Sequence, residues 1–168
     1  MIVLLNGSIN AGKTTVARAL MTLLPRTAHV EVDALREFVR CLPLAEAIPV
    51  SLENAAAVTR NLVRRGFHVV LTYPLGQEDY DYLLAQFADL ATPVYTFTLS
   101  PQLAVALTDR GERTPLAHER RRIREQYADN RHCPRFGVCI DNTAQTPAET
   151  AAAILDHIHP ERGAGDPR

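Results

Sequence analysis

Gly7-Ser8-Ile9-Asn10-Ala11-Gly12-Lys13-Thr14 matches G-x-x-x-x-G-K-[ST] at every fixed position, and the reading of the fold works outward from it. Before it runs Ile2-Val3-Leu4-Leu5, apolar and of strand length, and after it Thr15 to Leu24 reads as a helix. A strand, a glycine-bearing turn and a helix in that order gather backbone N–H groups at a helix N-terminus, where unpaired donors and the helix dipole both favour an anion. Gly7 and Gly12 permit the backbone angles such wrapping needs. Gly7, Asn10, Ala11, Gly12, Lys13, Thr14 and Thr15 are therefore the candidate phosphate cradle. Lys13 has the reach for the outer phosphate oxygens, and the Thr14 hydroxyl is placed to ligate Mg²⁺. Of the eighteen lysines and arginines only Lys13 is a lysine, so a chain that otherwise uses arginine keeps a compact ammonium at this one position.

A length of 168 residues fits one domain with a real core. Apolar residues at 46% and charged ones at 22% are near the average for a globular chain, which argues against disorder. No apolar run approaches the ~18 residues of a membrane span, and the first strand begins at residue 2, leaving no room for a signal peptide. A cytoplasmic setting, no membrane partner, and a monomer or homodimer are expected. Cys41, Cys133 and Cys139 are odd in number and lack metal-ligand spacing, so neither a disulfide framework nor a zinc site is expected. A net charge of −1 provides no general attraction to nucleic acid.

Along the chain, strands alternate with helices. Ala28 to Val32 reads as a short strand with Asp33 at its C-terminal end, followed by a helix from Ala34 to Val39. Pro43 and Pro49 mark Leu42 to Val50 as a loop, and Ser51 reads as the N-cap of a helix ending at Gly66. Further strands are expected at Phe67 to Leu71, Val94 to Leu99 and Phe136 to Ile140, with a helix from about Gln77 to Ala88. Ser100-Pro101 and Thr114-Pro115 each resemble a cap with proline in the first turn. The first predicts a helix through about Asp109. The second opens a helix with a thin apolar stripe of Leu116, Ile123 and Tyr127, crowded by Arg120, Arg121, Arg122 and Arg124, expected to project from the body. Thr146-Pro147-Ala148-Glu149 is a capping box for the last helix.

This pattern predicts an α/β fold with a five-stranded parallel sheet and helices on both faces. Ligands in such sheets bind at the C-terminal strand edges. That rule selects residues 7–14, Asp33, Thr72-Tyr73, Ser100 and Asp141-Asn142-Thr143. A guanine switch protein needs an Asn-Lys-x-Asp element, which a single lysine excludes. An apolar strand ending in an acid, usual in motor ATPases, is missing at Val69-Val70-Leu71-Thr72-Tyr73.

With Leu5-Asn6-Gly7 running into Gly12-Lys13-Thr14, with Val32-Asp33-Ala34-Leu35, Asp109-Arg110-Gly111-Glu112-Arg113 and Asp141-Asn142-Thr143 before Pro147-Ala148-Glu149, the chain resembles the P-loop small-molecule kinases of the shikimate and adenylate kinase-like group. Within that group it is similar to the chloramphenicol phosphotransferase-like and tunicamycin-resistance-like proteins. The resemblance implies a three-layer P-loop NTPase fold over residues 1–158, an arginine-rich lid at about 110–131 and a loose tail at 159–168. It implies ATP and Mg²⁺ as cofactors and a small hydroxylated molecule, an antibiotic or nucleoside-like metabolite, as acceptor. Asp33 matches the acid that takes the acceptor's proton or holds the metal's water shell, and capping the helix at Ala34 is its alternative role. Arg113 matches the arginine on the transferring phosphoryl, and Arg110 the one near adenine. Thr143 and Gln145 lie where related kinases hold adenine. Arg36, Thr72 and Tyr73 are candidate substrate contacts, since Thr72-Tyr73-Pro74 replaces the acids that chloramphenicol-type enzymes carry there. Helical spacing allows one or two of Arg120, Arg121, Arg122 and Arg124 to face the site. Two other functions stay open: a resistance protein that sequesters its ligand without transfer, and a kinase for polynucleotide ends.

Overall fold

The computed structural model describes residues 1–109 and 114–159. Five strands form one parallel sheet in the order β2-β3-β1-β4-β5: β1 Ile2–Gly7, β2 Thr27–Glu31, β3 His68–Thr72, β4 Val94–Leu99 and β5 Val138–Ile140. Seven helices connect and cover them among the described residues: α1 Lys13–Leu23, α2 Val32–Arg36, α3 Leu44–Arg64, α4 Gln77–Phe87, α5 Leu103–Ala106, α6 Ala117–Ala128 and α7 Pro147–Ile158. The order makes β1 the central strand. Residues alternate between faces along a strand, and β1 sends Ile2 and Leu4 into one core with Val69, Leu71, Leu83 and Phe87. Val3 and Leu5 enter the opposite core with Val16, Leu20, Phe97, Leu99 and Ile154. Helices α3 and α4 close the first face and α1 and α7 the second, so β1 is buried on both sides and its loop is delivered from a rigid base.

Several local expectations are corrected. Residues 44–50 are helix, not loop: α3 runs through Pro49, and Ser51 lies inside it, buried, with its hydroxyl donating to the Ala47 carbonyl at 2.8 Å. An internal proline costs about 3 kcal/mol. Burying Leu52 recovers roughly 2 kcal/mol, and Ala47, Ala55 and Ala56 add to it against the sheet. Ser100-Pro101 does not start a helix; α5 spans only Leu103–Ala106, with Gln102 as its cap. The α6 cap is Leu116, whose N–H donates to Glu119 Oε2, while the Thr114 hydroxyl donates to Asp109. Asp33 lies in the first turn of α2 rather than in a loop before it. Cys133 and Cys139 form a disulfide, against the expectation of none, and Cys41 is free and exposed. The Thr146–Glu149 capping box is formed as expected. No helix among the described residues is long and apolar enough to cross a membrane.

Candidate active site

The loop from Gly7 to Gly12 turns through three positive-φ residues, Gly7 at 148°, Asn10 at 62° and Gly12 at 95°. A side chain at Gly7 would place Cβ 2.7 Å from the Leu99 carbonyl oxygen on β4, so the close approach of strand and loop requires glycine. Ala11 N–H closes the turn on Ser8 O at 3.2 Å. The Lys13 ammonium donates to Gly7 O and Ser8 O, each at 2.9 Å, which holds it across the mouth of the loop. From the far side Asn142, buried at the end of β5, donates its amide to Ala11 O at 3.0 Å.

Thr14, in the first turn of α1, donates its hydroxyl to Glu31 Oε1 at 2.8 Å. Glu31 ends β2 and Asp33 follows two residues on, exposed in the first turn of α2. A hydroxyl and a carboxylate side by side are the hard oxygen donors that Mg²⁺ takes alongside water and phosphate oxygens, so the donor set fits that ion. Among the described residues no group of three or more His, Cys, Asp or Glu could hold a metal ion by itself. Sequence reasoning selected Asp33 and passed over Glu31. The only sign in the sequence was the spacing Glu31-Val32-Asp33, a buried valine between two acids.

Behind this pair, His29 Nε2 lies 2.8 Å from the Thr72 hydroxyl. Burial holds the imidazole below its usual range against the pull of Glu31, and Arg18 adds to the lowering. Thr72 is itself buried, so its hydroxyl serves the β2–β3 junction. Tyr73, one residue on, is different. Burial first, with Asp33 and Asp79 adding to it and Arg36 and Arg122 pulling against them, pushes its phenol up to about 12. Two acids and two arginines thus act electrostatically on one phenol. On α6, Arg120 Nε donates to Pro115 O, and Arg121 pairs with Glu125 at 3.3 Å on the exposed face. Glu37 pairs with Arg40 at 3.2 Å, not with Arg36.

Helix α6 was expected to stand away from the body, and here the structure differs. Ile123 is fully buried, Gln126 is buried, and the Tyr127 hydroxyl donates to Pro101 O, so one face is anchored while the arginines stay exposed. Gln126 Oε1 accepts the Ile9 N–H of the phosphate loop at 3.1 Å. Asn10 donates its amide to Ala106 O and Thr108 O, both at 2.9 Å, at the end of α5. Gln126 and Arg131 also line a small cavity with Asn6, Gly7, Ser8, Pro74 and Leu75. Its base is set by Asn6, whose side chain donates to Thr98 and accepts the Leu75 N–H. Arg110 and Arg113 lie outside the described residues.

On the last loop, Asp141 accepts from the N–H and hydroxyl of Thr143, which hold its carboxyl below the usual range. The Thr143 hydroxyl in turn accepts the Gln102 N–H at 2.8 Å, and Gln145 Oε1 accepts the Thr150 hydroxyl at 3.1 Å. Both candidate adenine contacts are thus braced by local bonds at the strand edge that carries the phosphate loop.

Comparison with known proteins follows the same line. The family described as chloramphenicol phosphotransferase-like protein matches residues 1–159. No curated protein sequence matches the chain significantly. Among solved structures it is similar to the tunicamycin resistance protein of Deinococcus radiodurans, at 20% identity and a TM-score of 0.65, covering 94% of this chain and 95% of that one. A gluconokinase from Sinorhizobium meliloti superposes at 0.65 with 19% identity over 96% and 94% of the two chains. Shikimate kinase from Acinetobacter baumannii, solved with shikimate, gives 0.62 at 19% identity, again over 96% and 94%.

Proposed function

The chain belongs to the chloramphenicol phosphotransferase-like family and is a P-loop kinase, and from that premise we propose that it transfers the γ-phosphoryl group of ATP, with Mg²⁺, to a hydroxyl of a small molecule, an antibiotic or nucleoside-like metabolite. The observation that carries this reading is the contact between Thr14 and Glu31, which brings the carboxylate end of β2, and Asp33 with it, to the phosphate loop.

In this reading the amides of residues 10–15 and the Lys13 ammonium hold the β- and γ-phosphates, and Thr14 and Glu31 hold the metal. Bound Mg²⁺ supplies charge neutralisation on the phosphate oxygens. Asp33 accepts the proton of the acceptor hydroxyl as its oxygen bonds to the γ-phosphorus, and the bond from that phosphorus to the β-phosphate oxygen breaks to leave ADP. Asp33 is the base because it is exposed and within electrostatic reach of Tyr73, whereas Glu31 is committed to Thr14. Arg36 and Tyr73 orient the acceptor, with Thr72 setting the strand end beneath them. Arg113 takes the migrating phosphoryl charge, in the fork geometry that suits phosphate oxygens; Arg110, Thr143 and Gln145 serve the adenine side. The arginine-rich stretch at 110–131 acts as the lid, and the cytoplasm, where ATP is made available, is the setting.

The test is ADP release across a panel of hydroxylated antibiotics and nucleosides, with the product's mass recorded. Acceptor-dependent ADP release with one added phosphoryl is the expected result. Tight ligand binding with no ADP formed would replace the reading by sequestration. Turnover that required a polynucleotide end and fell steeply with salt would replace it by end phosphorylation.

A further inference from the structure

Two side chains join the phosphate loop to the elements on either side of residues 110–113. Asn10, at φ 62°, spends both amide hydrogens on the Ala106 carbonyl at the end of α5 and the Thr108 carbonyl two residues beyond it. Gln126, buried in an otherwise charged helix, accepts the Ile9 N–H. Neither contact is explained by the stability of its own element. α5 is only four residues long, and α6 has Ile123 as its sole fully buried apolar side chain. A helix with so narrow an apolar face takes its position from the few polar bonds it makes. Here the relevant one ends on the backbone of the loop that would receive the phosphates, two residues from Ala11 and four from Lys13.

We propose that Gln126 and Asn10 are positioning residues: their bonds to the phosphate-loop backbone and to the Ala106 and Thr108 carbonyls hold α6 in register with the loop. The inference rests on the P-loop kinase reading above for its meaning in catalysis. A glutamine carbonyl on Ile9 N–H and an asparagine amide on two carbonyls are short, directional contacts. Any shift of the loop backbone on taking up phosphate is therefore passed to both flanking elements.

The test uses amide exchange by mass spectrometry on the full chain, free and saturated with ADP and Mg²⁺, in Gln126→Met and Asn10→Gly. Methionine keeps the volume without the acceptor, and glycine keeps the positive φ without the side chain. We expect peptides of residues 117–128 to exchange about tenfold faster in both variants while β1, β3 and β4 stay as protected as in the wild type. For Gln126→Met, ADP affinity is expected within threefold of wild type, and in both variants the ADP-induced slowing of residues 117–128 is expected to vanish. A merely structural role would raise exchange in the central strands as well, and that result overturns the proposal. So does unchanged exchange in 117–128, or slowing by ADP equal to that in the wild type. If the wild-type chain fails to bind ADP, the kinase reading falls, and exchange in the nucleotide-free variants still decides the positioning roles by themselves.

Discussion

The Thr14 hydroxyl and Glu31 Oε1, 2.8 Å apart, connect the helix after the phosphate loop to the end of a strand two places away in the sheet. If this pair holds Mg²⁺, Glu31→Gln removes a charge from the metal without removing an oxygen. The Mg²⁺ concentration for half-maximal nucleotide binding is expected to rise about 10–100-fold, with nucleotide affinity at saturating Mg²⁺ nearly restored. A magnesium titration at fixed nucleotide reads this, and an unchanged midpoint would move Glu31 out of the metal site.

Lys13 is predicted to be replaceable by neither alanine nor arginine. The ammonium fits between two carbonyls of its own loop, at 2.9 Å each, and a planar guanidinium is too large and wrongly shaped for that seat. Both variants should lower turnover by about 10²-fold or more, measured as ADP released per enzyme. Turnover within a few-fold of the wild type in Lys13→Ala would remove the loop from the chemistry.

Gly7→Ala combines a φ of 148° with a Cβ 2.7 Å from the Leu99 carbonyl. Strain of this kind amounts to about 2 kcal/mol, which in a domain of this size lowers the melting temperature by about 4–8 °C. Nucleotide binding should fall further than stability does, since β1 and β4 must part exactly where the loop begins. Differential scanning fluorimetry with and without ADP separates the two effects.

Tyr73 should ionise well above the ordinary phenol range. Its phenol is raised to about 12, by burial first and by Asp33 and Asp79 after it. The folded state therefore keeps a proton that the unfolded chain gives up from about pH 10. The stability tied to this group is present below pH 10 and is lost as pH rises towards 12. An absorbance titration should show a phenolate phase above the ordinary range that Tyr73→Phe deletes; a phase there that persists in the variant would assign it to another tyrosine.

Much of this molecule was legible in the chain because its signals are local. The apolar run of Val94–Leu99 is the observed β4, and Thr146 with Glu149 caps α7 as read. The phosphate-loop motif carried the fold class. What escaped depended on neighbours distant in sequence. Pro49 and Ser51 look like a break and a cap until the sheet is present for Leu52, Ala55 and Ala56 to pack against. Glu31 is an ordinary strand-end acid until α1 brings Thr14 to it. Gln126 is one polar residue in a polar helix, and its partner is a backbone N–H 117 positions away. The pairing of Cys133 with Cys139 escaped for a different reason: the two are only six positions apart, and an odd cysteine count does not say which two meet. Charge counting could show that α6 carries several arginines, whereas only the packing of Ile123 and Gln126 shows which face of the helix meets the body.

Asn142 reaches across to the Ala11 carbonyl, 131 positions earlier. The cradle is thus written in one stretch of the polypeptide and braced by a residue synthesised 131 positions later. On the ribosome, a nascent chain halted before that asparagine emerges would carry every motif residue and still lack the brace behind the turn. Competence to grip nucleotide should accordingly wait for that later stretch, as a milestone of synthesis rather than a gradual gain.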